Sequence, residues 1–243
     1  MRNQFAKIKS IRILFKIIIY VSIFGFGVSV GVYKIFPYQE IYFLMQLVKP
    51  EHNSLSRNNE YRIKLFEAFP PSAKIVFIGD SITESGEWND FFPSIKISNR
   101  GISGDTTFDV LQRMESISAA DTEIAFLMLG INDVFAKIPP NKIINNYELI
   151  LSFLKNNEIS VIIQSIIQCQ INICGKRKVS NINDLNKKLE KLARKHKVSF
   201  VHLTDLSKES GLNSKFTYDG VHLSTAGYQS WISDIKHLLI SRN

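Results

Sequence analysis

The stretch Lys74-Ile75-Val76-Phe77-Ile78-Gly79-Asp80-Ser81 passes from a short apolar run into a glycine and two polar residues. A run of β-branched and aromatic residues without polar alternation predicts a strand that is buried on both faces. Similar runs follow at residues 95–98, 124–129, 161–166 and 199–203. We therefore predict a single sheet of five strands.

Segments suited to helices separate these strands, at residues 107–117, 141–155, 181–197 and 225–240. Alternating strands and helices are typical of a mostly parallel sheet with helices on both faces. The predicted fold class is therefore α/β, a three-layer α/β/α domain. In open parallel sheets, functional sites form at the carboxyl ends of strands, so polar residues that follow different strands meet at one edge.

Four blocks of glycine and polar residues stand far apart in the chain: Gly79-Asp80-Ser81, Gly101-Ile102-Ser103-Gly104-Asp105, Gly130-Ile131-Asn132-Asp133 and Asp219-Gly220-Val221-His222. The first three follow the first three predicted strands. A serine hydroxyl is a weak nucleophile at neutral pH, so it needs a nearby base, a group that orients the base, and donors for the developing oxyanion. Ser81, His222 and Asp219 supply the nucleophile, the base and the orienting group.

The four blocks, in this order, resemble those of the GDSL or SGNH hydrolase family, which is named for a Ser, a Gly, an Asn and a His in successive motifs. These residues here are Ser81, Gly104, Asn132 and His222, and the resemblance runs over residues 74–230. Ile82 stands where the namesake motif has Leu, an exchange of one apolar residue for another. The resemblance implies a serine esterase with a flavodoxin-like fold, and it implies no metal or organic cofactor.

The resemblance also implies roles for individual residues. The catalytic group would be Ser81, Asp219 and His222, and the oxyanion hole would combine the N–H groups of Ser81 and Gly104 with the side-chain amide of Asn132. Four further residues are expected to brace these loops: Asp80, Asn99, Asp105 and Asp133. Taken singly, such residues also fit structural roles, because serine caps helices, glycine permits positive φ and asparagine caps turns.

The N-terminal region predicts a membrane anchor. Residues 17–33 carry no charge and are about long enough to cross a bilayer, and five cations precede them: Arg2, Lys7, Lys9, Arg12 and Lys16. An uncleaved transmembrane helix is the favoured interpretation, with a cleaved signal peptide and a buried core helix as alternatives. Because cations stay on the cytoplasmic side, the catalytic domain is expected on the extracytoplasmic side of the plasma or inner membrane.

Three regions follow from these patterns. Residues 1–36 are predicted to form a cytoplasmic basic stub and the anchor, residues 37–73 a membrane-proximal linker and helix, and residues 74–243 the hydrolase domain. Within the middle region, the apolar residues 38–48 suggest a short helix at the membrane surface, residues 53–59 a polar linker, and residues 57–69 a helix that packs on the domain.

The two cysteines bear on the compartment. Cys169 and Cys174 are close enough in sequence to form a small disulfide loop in an oxidising compartment, whereas in the cytosol they would remain thiols. We predict no metal site here, because a second Cys pair and a histidine at ligand spacing are both missing.

The charge does not point to nucleic acid. The formal net charge is +8, but much of the excess lies before the apolar N-terminal run and along residues 187–195, without the interleaved aromatics of a base-stacking groove. We therefore predict no nucleic-acid partner. The resemblance implies an ester substrate instead, a small molecule or a polysaccharide.

The predicted function is that of a membrane-anchored serine esterase that forms an acyl-Ser81 intermediate. O-deacetylation of a cell-envelope carbohydrate is the favoured reaction. The alternatives are a lysophospholipase or acyl-thioesterase, a glycan O-acyltransferase, and a non-catalytic glycan-binding domain on the same fold.

Overall fold

A computed structural model describes residues 2–33, 57–117 and 122–240, and the chain forms two compact units, Met1–Leu55 and Ser56–Asn243. In the first unit the described residues form one helix, α1 (Arg2–Tyr33). Among the helices of these ranges, none is both long enough and apolar enough to span a bilayer, so the predicted transmembrane anchor is not confirmed. The predicted surface helix at residues 38–48 and most of the linker at residues 53–59 lie outside the described residues.

The second unit is built on one parallel sheet. Its strands, in chain order, are β1 (Ile75–Gly79), β2 (Ile97–Gly101), β3 (Ile124–Met128), β4 (Ser160–Gln164) and β5 (Ser199–Val201). In the described residues the sheet has five strands in the order β2-β1-β3-β4-β5, and every neighbouring pair is parallel. This confirms the predicted sheet and brings the carboxyl ends of β2, β1 and β3 together.

Helices of very different length connect the strands. In chain order they are α2 (Arg57–Ala68), α3 (Ser81–Glu84), α4 (Trp88–Phe91), α5 (Thr107–Gln112), α6 (Ile131–Phe135), α7 (Pro140–Asn156), α8 (Ile171–His196) and α9 (Thr225–Ile240). Two helix boundaries differ from the sequence prediction by more than two residues. Helix α5 ends early and a 3₁₀ turn, Met114–Ser116, follows it, while α8 begins ten residues before position 181 because its first turns continue across a kink at Gly175.

The core lies on both faces of the sheet, which confirms the three-layer architecture. Val76 and Ile78 pack with α5, α7 and α8 on one face, and Ile75 and Phe77 pack with α4 and α9 on the other. Phe77 stacks on Trp88, with ring centroids 4.2 Å apart. Because alternate residues of β1 enter different cores, an apolar run without alternation is what this central strand requires.

Helix α2 belongs to the same compact unit as the sheet, the unit Ser56–Asn243. The reason is the burial of Phe66, whose ring lies 4.4 Å from the guanidinium carbon of Arg100 on β2. Arg100 also donates a hydrogen bond of 2.8 Å to the carbonyl of Phe69.

Candidate active site

Ser81 is the first residue of α3, directly after the turn that ends β1. The helix is capped by Asp80, whose Oδ1 accepts a hydrogen bond of 3.0 Å from the N–H of Ile82. Since Asp80 is the cap, the hydroxyl of Ser81 is left for another contact. Gly79 makes the turn possible, because a Cβ there would lie only 2.9 Å from the carbonyl oxygen of Met128.

The hydroxyl of Ser81 contacts His222, although these two residues are far apart in the chain. The distance from Ser81 Oγ to His222 Nε2 is 3.0 Å, and the other ring nitrogen, Nδ1, lies 2.6 Å from Asp219 Oδ2. The second carboxylate oxygen of Asp219 accepts the backbone N–H groups of Val221 at 2.9 Å and His222 at 2.7 Å. The loop therefore wraps around its own carboxylate and holds the imidazole against the serine.

The surroundings of Asp219 favour the ionised form of its carboxyl group. Partial desolvation alone would raise its pKa, but hydrogen bonds from the His222 ring and from the backbone N–H groups of His222 and Val221 outweigh this and lower the pKa to about 2. An ionised carboxylate at Nδ1 favours the tautomer whose Nε2 accepts a proton from Ser81, and it stabilises the imidazolium that results.

The two other predicted oxyanion donors lie on the turns after β2 and β3. Gly104 has a φ of +82°, and Asn132 is the second residue of α6, with its Nδ2 donating to the carbonyl of Asp105 at 2.9 Å. This bond uses one amide hydrogen of Asn132 and leaves the other. Within residues 57–117 and 122–240, the N–H groups of Ser81 and Gly104 have no protein acceptor, and no hydrogen bond joins Gly104 or Asn132 to Ser81.

Asn99 ties the turn after β2 to the end of α3. Its Nδ2 lies 3.0 Å from the carbonyl of Thr83, 2.9 Å from that of Glu84 and 3.2 Å from that of Gly86. Its Oδ1 accepts the N–H of Gly101 at 2.9 Å. These bonds also explain why β2 continues beyond the predicted position 98, because the polar side chain of Asn99 finds partners at the end of α3 and on Gly101.

Asp133 and Asp105 stabilise the neighbouring turns through hydrogen bonds. Asp133 accepts the N–H of Thr107 at 3.0 Å and the hydroxyl of Thr107 at 2.6 Å. Asp105 accepts the Nε of Arg113 at 2.7 Å, and both side chains of this ion pair are fully buried. The same guanidinium donates to the carbonyl of Arg100 at 2.8 Å, so it links the ends of α5 and β2.

Burial perturbs the acidity of all three buried carboxyls near the site. Desolvation is the largest cause in each case: it raises the pKa of Asp80 to about 7, and it raises the pKa of Asp105 to about 6 despite the opposing charge of Arg113. The pKa of Asp133 is also raised, against the hydrogen bonds that it accepts from Thr107. The exposed Asp219 and these carboxyls are therefore shifted in opposite directions.

The disulfide loop contacts the same rim. Cys169 and Cys174 form a disulfide, and between them Gln170 donates its backbone N–H to the carbonyl of Gly220 at 2.7 Å. Gly220, with a φ of +94°, lies inside the loop that carries Asp219 and His222. Within the described part of the chain, no group of three or more His, Cys, Asp or Glu residues is arranged to hold a metal ion.

Sequence reasoning missed three residues beside the site, Asn59, Arg62 and Glu84. Arg62 and Glu84 form an ion pair with 3.0 Å between Nε and Oε1, and Asn59 donates to the carbonyl of Ser103 at 2.9 Å. Asn59 and Arg62 lie on α2, before the family-like blocks, and Glu84 lies three residues after the first block. The helical spacing of apolar residues in α2 predicted that this helix packs on the domain. No local pattern indicated which turn of the domain it would contact.

A three-layer α/β/α domain with a Ser-His-Asp chain at the carboxyl edge of its sheet is the arrangement of a serine hydrolase. The chain belongs to the GDSL-like Lipase/Acylhydrolase family, whose model matches residues 77–230. Membership in this family supports an enzyme that acts on ester bonds.

Three relatives show the range of similar proteins. A Streptococcus pneumoniae structure described as a candidate platelet activating factor has a TM-score of 0.70 and 26% identity, over 83% of this chain and 98% of that one. An acetylxylan esterase from Geobacillus stearothermophilus has a TM-score of 0.56 and 19% identity, over 68% of this chain and 95% of that one. The N-acylneuraminate cytidylyltransferase of Streptococcus agalactiae serotype V is 24% identical over 180 residues, 70% of this chain and 41% of that protein, so the chain spans less than half of its length.

Proposed function

We propose that the enzyme hydrolyses carboxylic esters through an acyl-Ser81 intermediate. The observation that carries this proposal is the continuous chain from Ser81 Oγ to His222 Nε2, at 3.0 Å, and from His222 Nδ1 to Asp219 Oδ2, at 2.6 Å. As Ser81 Oγ bonds to the ester carbon, its proton passes to His222 and the carbonyl oxygen becomes an oxyanion. The N–H groups of Ser81 and Gly104 and the free amide hydrogen of Asn132 would stabilise that oxyanion.

The second half of the reaction uses the same groups in reverse. The imidazolium of His222 gives its proton to the departing alcohol, and the acyl group stays on Ser81. Water then loses a proton to His222 and attacks the acyl carbon, after which the carboxylic acid leaves and Ser81 recovers its proton. The low pKa of Asp219 keeps its carboxylate charged throughout, which favours the imidazolium at each step.

An O-acetylated carbohydrate is the substrate class that we propose. Two relatives support it: one is an acetylxylan esterase, and the other is named for N-acylneuraminate, an acidic sugar. The exposed ring of Tyr218 adds a local reason. It lies stacked beside His222, with the centroids 6.0 Å apart, and a flat aromatic surface next to the base suits the face of a sugar ring.

The extracytoplasmic location of the catalytic domain is part of the proposal. It is supported by the cations that precede residues 17–33 and by the Cys169–Cys174 disulfide, because disulfides persist in oxidising compartments. Trapping the thiols of intact cells with an alkylating reagent tests it. We expect both cysteines to resist alkylation until a reductant is added, and two free thiols would contradict the location.

Acetate release is the decisive measurement of the reaction. The full chain is incubated with O-acetylated polysaccharides, with a chain-length series of p-nitrophenyl esters and with a lysophospholipid. We expect acetate release from a polysaccharide and a preference for the acetyl ester over longer acyl esters. Preference for a long acyl chain, or for the lysophospholipid, would replace the carbohydrate by a lipid substrate. Acyl transfer to an added sugar in place of acetate release would indicate an O-acyltransferase.

Matched variants separate catalysis from stability. Ser81→Ala and His222→Ala should each lose almost all turnover, about 10³-fold or more. The controls are Ser152→Ala and His202→Ala, which remove an exposed serine on α7 and an exposed histidine after β5. Turnover above background that is equal in Ser81→Ala and the wild type would exclude the acyl-serine mechanism, and turnover at the uncatalysed background in both would leave the non-catalytic glycan-binding domain.

A further inference from the structure

We infer that α2, which precedes the region shared with the family, positions the oxyanion turn through a polar clamp made by Asn59, Arg62 and Glu84. This inference rests on the proposed acyl-Ser81 mechanism and extends it to residues outside the four motif blocks. The oxyanion turn is defined here as residues 101–104, the segment that ends with Gly104.

Glu84 is the centre of the clamp. It is the last residue of α3, the short helix that begins with Ser81. Its Oε2 accepts the backbone N–H of Ser103 at 2.6 Å and also the hydroxyl of Ser103, while its Oε1 lies 3.0 Å from Nε of Arg62. One carboxylate therefore joins the nucleophile helix, the oxyanion turn and α2.

Two further bonds hold the turn from the side of α2. Arg62 Nη2 donates to the carbonyl of Gly101 at 3.1 Å, and Asn59 Nδ2 donates to the carbonyl of Ser103 at 2.9 Å. Asn59 is buried, and the side chains of Arg62 and Glu84 are only 29% and 21% exposed. Limited exposure means that water screens this ion pair less than a surface pair.

The consequence for catalysis follows from the position of Gly104. Its N–H must point at the oxyanion, and its neighbour Ser103 is held on both its N–H and its carbonyl by the clamp. The Cβ position of Gly104 meets nothing within 4 Å, so packing does not fix this residue from outside. Hydrogen bonds to the preceding residues fix it instead. Loss of the clamp would misdirect an oxyanion donor, which affects the transition state more than the bound substrate.

Steady-state kinetics of the full chain with p-nitrophenyl acetate test the inference. We expect Arg62→Ala and Glu84→Ala each to lower kcat by about 10- to 100-fold, with KM within about twofold and an unchanged shape of the pH profile, since the Asp219–His222 loop is not altered. The double variant should lose less than the product of the two single losses, because the Arg62–Glu84 ion pair is common to both substitutions while each residue also makes its own bond to the turn. Arg62→Lys keeps the charge opposite Glu84 and should recover part of the lost kcat.

A matched control lies on the same helix. Lys64 and Glu60 form an ion pair of 2.8 Å that faces solvent, so Lys64→Ala removes an α2 ion pair without touching the turn, and kcat should not change. Circular dichroism confirms that each variant is measured while folded. Unchanged kcat in folded Arg62→Ala, additive losses in the double variant, or a rise in KM alone would overturn the inference. Ser81→Ala in the same series separates this failure from failure of the mechanism, because only the latter leaves Ser81→Ala active.

Discussion

The buried carboxyl of Asp80 makes the stability of the catalytic domain depend on pH, and Asp80→Asn tests this. Its side chain has only 1% exposed surface, and burial raises its pKa from 3.8 to about 7. The native state therefore holds the proton between about pH 4 and pH 7, where the unfolded chain has lost it. Since a carboxyl with a raised pKa binds more protons when folded, its contribution to stability is greatest below pH 4 and is lost as the pH rises to 7.

The magnitude follows from the shift. A change from 3.8 to about 7 is roughly three pKa units, and at about 1.4 kcal/mol for each unit the cost at high pH is about 4 kcal/mol. This is an upper limit, because the pocket relaxes around the ionised carboxylate. Asparagine has no charge and keeps an oxygen that accepts the N–H of Ile82, so the variant should lack this cost while retaining the helix cap.

Urea unfolding of the two proteins, followed by tryptophan fluorescence, measures the difference. The chain has two tryptophans, Trp88 and Trp231, and both are buried in the sheet domain, so the signal reports this unit. At about pH 4.5 the variant should be favoured by only about 1 kcal/mol on this account, and at about pH 8 it should have gained roughly 2–4 kcal/mol relative to the wild type. A difference in unfolding free energy that stays constant between these pH values would refute the argument.

Three further perturbations test other parts of the site. Asp219→Asn should lower kcat by about 10³- to 10⁴-fold because the amide no longer selects the tautomer of His222, and a loss below about tenfold would contradict that role. Gly104→Ala should lower the unfolding free energy by about 1–2 kcal/mol through its φ of +82° alone, since the added Cβ meets no atom, and an unchanged urea midpoint would contradict this. Replacing Cys169 and Cys174 by serine opens a short loop and should lower the unfolding free energy by about 2 kcal/mol, measured by thermal unfolding. It should also lower kcat, because Gln170 then holds Gly220 less firmly. An unchanged melting temperature and an unchanged kcat would contradict both expectations.

The fold could be predicted where the physical signal is local. Residues 75–78 and 124–128 form strands that are buried along their length, so apolar runs without alternation identify them, and helix α9 has the predicted bounds. The sequence pattern places β2 too early, because Asn99 and Arg100 look unlike strand interior until their contacts with α3 and with Phe66 of α2 are known. Helix α8 starts early because a glycine with non-helical φ and ψ interrupts it without ending it.

The site could be predicted in part for the same reason. Ser81 and His222 stand in blocks whose residue types are typical of catalytic sites, and the structure places them in hydrogen-bond contact. The support from Asn59, Arg62 and Glu84 could not be predicted, because such polar residues are usual on any exposed helix and acquire a role only through contacts between distant segments. The sequence also did not show which carboxyls would be buried. Burial raises the pKa of Asp80, whereas hydrogen bonds lower the pKa of the exposed Asp219.

The loop that carries Asp219 and His222 holds its carboxylate with its own backbone N–H groups, and Gln170 of the disulfide loop holds it at Gly220. Its side-chain link to the nucleophile is a single hydrogen bond that bridges 141 positions of the chain. Gentle warming should therefore separate these partners while the sheet stays intact. Turnover would then fall reversibly at temperatures where the tryptophan signal still reports a native core, and cooling would restore it without refolding.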